Sequence, residues 1–322
     1  MAKGNRRPTL QYNSQPKGKI SLRVLESFTE RSLNQWSAAS ADLDQLAGDL
    51  YFGLMPAQRR RMPEIMDALN SAPAMIVPIK DWARLITYEF SDDPLSAAGS
   101  LRYIGGRFNA GIDLDEGTIA PWPALYLAEN YETAFREKFQ MPHNGSVDGL
   151  TPNELALQPP ASHTTVRIHG ELRGIFDATT PKKLAPVASV LRKIPMPPHA
   201  RQLRRKLNIP ASELQMIRTA DHLFKTLFEE NWRIGPIQFG LPSSSQIFSS
   251  WVKSAGFGGI LYPSTKGHGK CLAVFPDSMM DQSFVELSDP APNSVKIRRL
   301  DENTGEHLCG WHTIPMSYRP AN

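Results

Sequence analysis

The chain is expected to fold as an α+β protein: a helical N-terminal region ahead of a body in which short strands and helices share one core. Three observations predict this. Apolar residues recur at helical spacing before residue 70, β-branched and alternating segments begin near Ala72, and capped helices then interrupt further short apolar runs. With 322 residues the chain exceeds the usual size of one domain and can bury a sizeable core.

Residues 1–18 are rich in Lys, Arg, Gln, Asn and Pro, so they bury too little to offset the entropy of ordering and read as a flexible basic tail. A helical region is assigned to 19–75. From Asp42, the residues Leu43, Leu46, Ala47, Leu50 and Tyr51 mark one helix face, and Pro63 opens a second helix carrying Ile65, Met66 and Leu69. Between them, Arg59, Arg60 and Arg61 read as a solvated turn.

The main domain is placed at 76–287. Strands are expected around 72–79 and 83–90, then at Ala124-Leu125-Tyr126-Leu127-Ala128, after which Asn130 caps a helix running to Gln140. Further strands are expected at 164–168 and 174–176, and a helix at 181–193. A helical insertion occupies about 195–238, basic at Arg201, Arg204, Arg205 and Lys206 and amphipathic later on. Ser243 with Gln246 forms a capping box for a helix ending at Gly256, followed by strands at 259–262 and 273–275. Beyond Leu287 the sequence turns polar, and 288–322 is assigned to a C-terminal tail.

Composition narrows the function classes. The net charge of +4 does not by itself imply nucleic acid, and no apolar run approaches bilayer length, so no membrane role is expected. Two cysteines, Cys271 and Cys309, have neither the number nor the spacing of a disulfide framework or zinc site. A cytoplasmic protein without a metal or prosthetic group is expected.

Chemistry concentrates in a few places. Gly105-Gly106-Arg107-Phe108-Asn109 sets two glycines before an arginine, a pattern that lets backbone and guanidinium approach a phosphate together. A glycine turn ending in a surface arginine is the plainer alternative. Glu137 lies about 200° around its helix from Phe135, away from the Phe135/Phe139 stripe, where water is the default neighbour. Tyr126 reads as core and Ser264, in Tyr262-Pro263-Ser264-Thr265-Lys266-Gly267, as a loop cap, when each is taken alone. Arg84 and Arg102 could assist an anion or form surface ion pairs. Lys266, His268 and Lys270 among glycines suggest a phosphate-facing loop without a Walker pattern.

The run Pro94-Leu95-Ser96-Ala97-Ala98-Gly99-Ser100-Leu101-Arg102-Tyr103-Ile104-Gly105-Gly106-Arg107-Phe108-Asn109, with Leu125-Tyr126-Leu127-Ala128, Glu137 and Pro263-Ser264, resembles the RES domain, a family named after an arginine, a glutamate and a serine. The matching positions are Arg107, Glu137 and Ser264. The resemblance covers roughly residues 83–281 and implies an ADP-ribosyltransferase-like split mixed β-sheet core with flanking helices. It implies an NAD-degrading toxin of a toxin–antitoxin pair, with NAD as substrate, that cleaves the nicotinamide–ribose bond by hydrolysis, as an NAD glycohydrolase, or by phosphorolysis, as an NAD phosphorylase. Glu137 would stabilise an oxocarbenium-like cation, Arg107 with backbone donors of the glycine turn would hold the diphosphate, Tyr126 would stack on nicotinamide, and Ser264 would position the ribose or attacking group. Gly105, Gly106, Arg107, Asn109, Tyr126 and Ser264 would then bind NAD. A cognate antitoxin blocking the pocket is the expected protein partner, and self-association is left open. The chain departs from a compact RES toxin in its N-terminal helices, its 195–238 insertion and its lengthened loop at 111–123, where Asp113, Asp115 and Trp122 could reshape the pocket mouth. Competing readings are transfer of ADP-ribose to a protein or nucleic acid, and a nucleic-acid-binding or interaction protein with a decayed pocket.

Overall fold

The computed structural model describes residues 30–115, 117–141, 163–210 and 216–316; the segment 1–18 read as a basic tail lies outside the described residues. In chain order the helices are α1 (Glu30–Arg60), α2 (Met62–Asn70), α3 (Tyr131–Phe139), α4 (Ala185–Leu191), α5 (Pro198–Lys206), α6 (Ala220–Leu227), α7 (Ile234–Phe239), α8 (Ser244–Ser254) and α9 (Gly305–Cys309). The strands are β1 (Met75–Thr87), β2 (Gly105–Gly106), β3 (Asn109–Ala110), β4 (Leu125–Ala128), β5 (His163–Asp177), β6 (Gly259–Pro263), β7 (Lys270–Val274), β8 (Phe284–Leu287) and β9 (Arg299–Leu300). No helix among the described residues is long and apolar enough to cross a membrane.

Two compact units are present: Met1–Arg60 with Ile194–Met216, and Arg61–Lys193 with Ile217–Asn322. The first is built on α1 and α5. Leu46 packs with Ala200 and Leu203, ringed by Leu50, Met196, Leu207 and Ile209. Much of the basic character of α5 is used internally, since Lys206 pairs with Asp42 at 2.7 Å and Arg204 donates to the Ile209 carbonyl at 2.7 Å.

The second unit holds a seven-stranded mixed sheet in the order β1-β4-β7-β6-β5-β8-β9, in which β1 also pairs with β5. The pairings β1-β4-β7-β6-β5 therefore close on themselves, and β8 and β9 extend outward from β5. The split arises in β5. One edge follows β1 from His163 to Ile175, while the other pairs antiparallel with β8 at 168–171 and then parallel with β6 at 175–177. This is the α+β, split mixed-sheet architecture with flanking helices expected from the sequence. Strands expected separately at 164–168 and 174–176 are one strand of 15 residues. Likewise β1 runs unbroken through 75–87, with register shifts that absorb the irregular stretch between Ile79 and Trp82.

The core clusters Ile79, Trp82, Leu127, Ile168, Leu172, Ile175, Leu272 and Val285, among others. Leu300 and Leu308 are fully buried in the same cluster, which corrects the assignment of 288–322 to a tail. Over its described part, this segment adds β9 to the sheet, and the Leu308 carbonyl accepts from the Ala97 amide at 2.9 Å. Two isolated leucines in elements of two and five residues leave no periodicity in the sequence to betray them. Helix α2 groups with the sheet rather than with α1, and the stretch read as one insertion is divided, 194–216 joining α1 and 217–239 the sheet unit.

Candidate active site

The Gly105-Gly106 pair has a local cause. β2 and β3 form a tight hairpin with Gly105 opposite Ala110 and Gly106 opposite Asn109. Gly105 sits at φ +83°, and a Cβ on Gly106 would fall 2.4 Å from the Tyr126 hydroxyl oxygen. The glycines thus admit Tyr126, whose hydroxyl accepts from the Phe108 amide at 3.0 Å and donates to Asn109 Oδ1 at 2.9 Å. The turn's own amides are used within it: Gly105 N–H donates to the Arg102 carbonyl at 3.0 Å, and Gly106 N–H to Asn109 Oδ1 at 2.9 Å. The expectation that these donors would cradle a diphosphate is therefore corrected, and of the turn only Gly106 and Arg107 line the cavity. Asn109, fully buried, also donates to the carbonyls of Ser100 and Trp122 and acts as a brace beneath the site. From α8, Gln246 holds the same hairpin, its Nε2 lying 2.8 to 3.0 Å from the carbonyls of Ile104, Gly106 and Asn109.

Helix α3 aims Glu137. Asn130 caps its first turn by accepting from the Thr133 amide at 2.9 Å, and Phe135 packs on Met141, Leu85 and Phe139. The opposite face turns Glu137 into the cavity rather than to bulk water. There its Oε1 accepts from the Ser264 hydroxyl at 2.6 Å and from the Thr265 amide at 2.8 Å. Oε2 has no hydrogen-bond partner among the described residues. Ser264 Oγ in turn accepts from the amides of Lys266 and Gly267 at 3.1 and 2.9 Å, so the 264–267 loop holds the serine that holds the glutamate.

The cavity is about 260 Å³, lined by Gly106, Arg107, Tyr126, Glu137, Tyr262 and Cys271 and by Arg84, Lys138, Gln140, Trp232 and Arg233. Of the four expected catalytic side chains, Arg107, Tyr126 and Glu137 line it directly, and Ser264 joins it through its bond to Glu137. Four cations face one carboxylate across this space. Arg107 is buried, and burial lowers its pKa against the opposing pull of Tyr262 and Glu137. Its Nη1 donates to the carbonyls of Leu227 and Glu229 at 3.0 and 2.9 Å. Arg84 donates to the Ser96 carbonyl at 2.7 Å, while its buried Nε has no partner among the described residues, and burial pushes its pKa down to about 10. Burial, with the nearby Arg84 charge, brings Lys138 down to about 8. Desolvation raises the phenol of Tyr126 and the thiol of Cys271, leaving both neutral near pH 7.

Sequence reasoning missed Lys138, Trp232 and Arg233. Lys138 lies about 100° around α3 from Glu137 and about 60° from Phe135, so helix geometry alone did not place it in the cavity; Trp232 and Arg233 fall in an aperiodic connection that offered no signal. Conversely, Asp113, Asp115, Arg102, Lys266 and His268 do not line the cavity, and Lys266 faces Glu230 at 3.6 Å.

A family model described as the RES domain matches residues 81–292. The chain belongs to the RES-domain family. All the cavity residues named above lie within the matched span, whereas α1, α2, β9 and α9 lie outside this RES match. Among solved structures, the chain is similar to one in the M. tuberculosis MbcT–MbcA toxin–antitoxin complex, with 14% identity over 76% of this chain and 97% of that chain, at a TM-score of 0.41. No curated protein matches the RES-domain chain.

Proposed function

We propose that this RES-domain protein is the toxin of a toxin–antitoxin pair and degrades NAD by breaking the bond between nicotinamide and ribose. The observation that carries this reading is the state of Glu137: one carboxylate oxygen is held by Ser264 and Thr265, and the other has no partner among the described residues, inside a cavity rich in cations. As the glycosidic C–N bond breaks, its electron pair leaves with nicotinamide, which departs neutral and needs no strong acid. The ribosyl carbon becomes an oxocarbenium-like cation, and a fixed carboxylate beside it stabilises the charge that develops. A carboxylate already locked by two donors need not reorganise to do this. The Tyr126 ring offers a face to the cationic nicotinamide, and its hydrogen bonds to Asn109 and Phe108 keep the ring in place.

The cation is then captured by a nucleophile: water or a hydroxyl loses a proton in this step, whereas hydrogen phosphate attacks through an oxygen that is already ionised. Inorganic phosphate is favoured over water by Arg84 and Lys138, two neighbouring cations in the cavity wall for which no carboxylate partner is present among the described residues. Transfer to a macromolecule is the remaining alternative. NAD labelled in its ADP-ribose half separates the three: ADP-ribose 1-phosphate in phosphate buffer is expected, free ADP-ribose would mean water, and label retained on protein or nucleic acid would mean transfer. An enzyme that destroys NAD must be restrained in its own cell, so a partner protein covering the cavity mouth accompanies this reading.

A further inference from the structure

Arg107, the motif arginine, is not free to serve a ligand with its whole guanidinium. Its Nη1 is committed to the carbonyls of Leu227 and Glu229, at and just beyond the end of α6. The same guanidinium lies 5.7 Å from the ring centre of Trp232. Arg107 thus anchors the connection between α6 and α7, and that connection brings Trp232 and Arg233 into the cavity wall.

Arg233 is held from two sides. Its guanidinium stacks over Trp232 at 4.6 Å, and its Nη1 donates to Gln140 Oε1 at 3.2 Å. Gln140 ends α3 in the left-handed conformation at φ 55°. Neither contact neutralises Arg233. The negative charge it senses is that of Glu137, which faces the same cavity, and the two make no direct bond. A guanidinium fixed in orientation by an indole face and a side-chain amide, half withdrawn from water and without a bonded counter-ion, is a preformed anion receptor.

Resting on the NAD reading of this cavity, we infer that Arg233 binds the substrate's diphosphate together with the uncommitted edge of Arg107, and that Trp232 is a positioning residue for both guanidiniums. Two cations match the two negative charges of a dinucleotide's diphosphate. Because the bridge spans phosphates remote from the bond that breaks, it contributes binding in the ground and transition states alike and is expected to act on KM more than on kcat.

The test uses the full-length chain and three proteins: wild type, Arg233→Gln and Arg233→Lys. NAD turnover is measured alongside calorimetric binding of ADP, which carries the diphosphate but no scissile bond. Expected are a KM for NAD and a Kd for ADP raised at least tenfold in Arg233→Gln, kcat within about threefold of wild type, and partial recovery of both affinities in Arg233→Lys. An unchanged KM and Kd in Arg233→Gln, with an active wild type, would overturn this inference and leave the NAD reading standing. A fall in kcat alone with unaltered ADP binding would overturn it too, by marking Arg233 as part of the chemical step. A wild type that neither consumes NAD nor binds ADP would overturn both.

Discussion

At the residue scale the site is a hierarchy of supports. Glu137 is oriented by Ser264, Ser264 by the amides of its own loop, Tyr126 by Asn109, and Arg233 by Trp232 and Gln140. Beside them in the cavity wall, Lys138 titrates in an accessible range. Burial and the Arg84 charge bring Lys138 down to about 8, so it is protonated below that pH and neutral above it. A charged lysine attracts an anion and a neutral one does not. If phosphate is the acceptor, its apparent affinity in NAD breakdown should fall by up to about tenfold per pH unit as pH rises through 8. Lys138→Met should bind phosphate weakly at every pH and flatten that profile, and a titration of initial rate against phosphate between pH 7 and 10 checks both. The name-giving residues were legible as positions in the sequence, but their orientation was not. Whether Glu137 meets water or a ligand depends on Ser264, which is far away along the chain and comes close only through the sheet.

At the element scale, local signals carried far. Asn130 at the start of α3 and the Ser243/Gln246 box at the start of α8 mark helix ends that the structure reproduces, because capping is chemistry between residues three apart. The Gly105-Gly106 hairpin was legible as a special turn, but the neighbour that requires it was not: a Cβ on Gly106 would meet Tyr126, so this glycine admits the Tyr126 side chain from β4. Gly106→Ala should therefore destabilise the fold by about 1–3 kcal/mol through overpacking. Urea denaturation of this variant checks the value, and stability equal to wild type would show that the hairpin yields without cost.

At the scale of the whole molecule, the β4–β7 pairing, with Ala128 opposite Cys271, is what sets α3 and the 264–267 loop beside one another. Non-local pairings of this kind have no sequence period, which is why the split sheet came from family resemblance while individual strands came from pattern. The segment after Leu287 escaped for the same reason. Its contribution is large: Leu308 is fully buried in the main core, and Leu308→Ala should cost about 2–5 kcal/mol in denaturant unfolding. A loss within experimental error would return that segment to the status of a surface appendage.

These scales meet in one carboxylate. The most direct test is NAD consumption by purified wild-type protein and Glu137→Gln, with circular dichroism confirming that both are folded. The account predicts turnover by the wild type and a loss of about 10²-fold or more in the variant, since the amide keeps the shape and removes the charge. Undiminished turnover by a folded Glu137→Gln protein would contradict it.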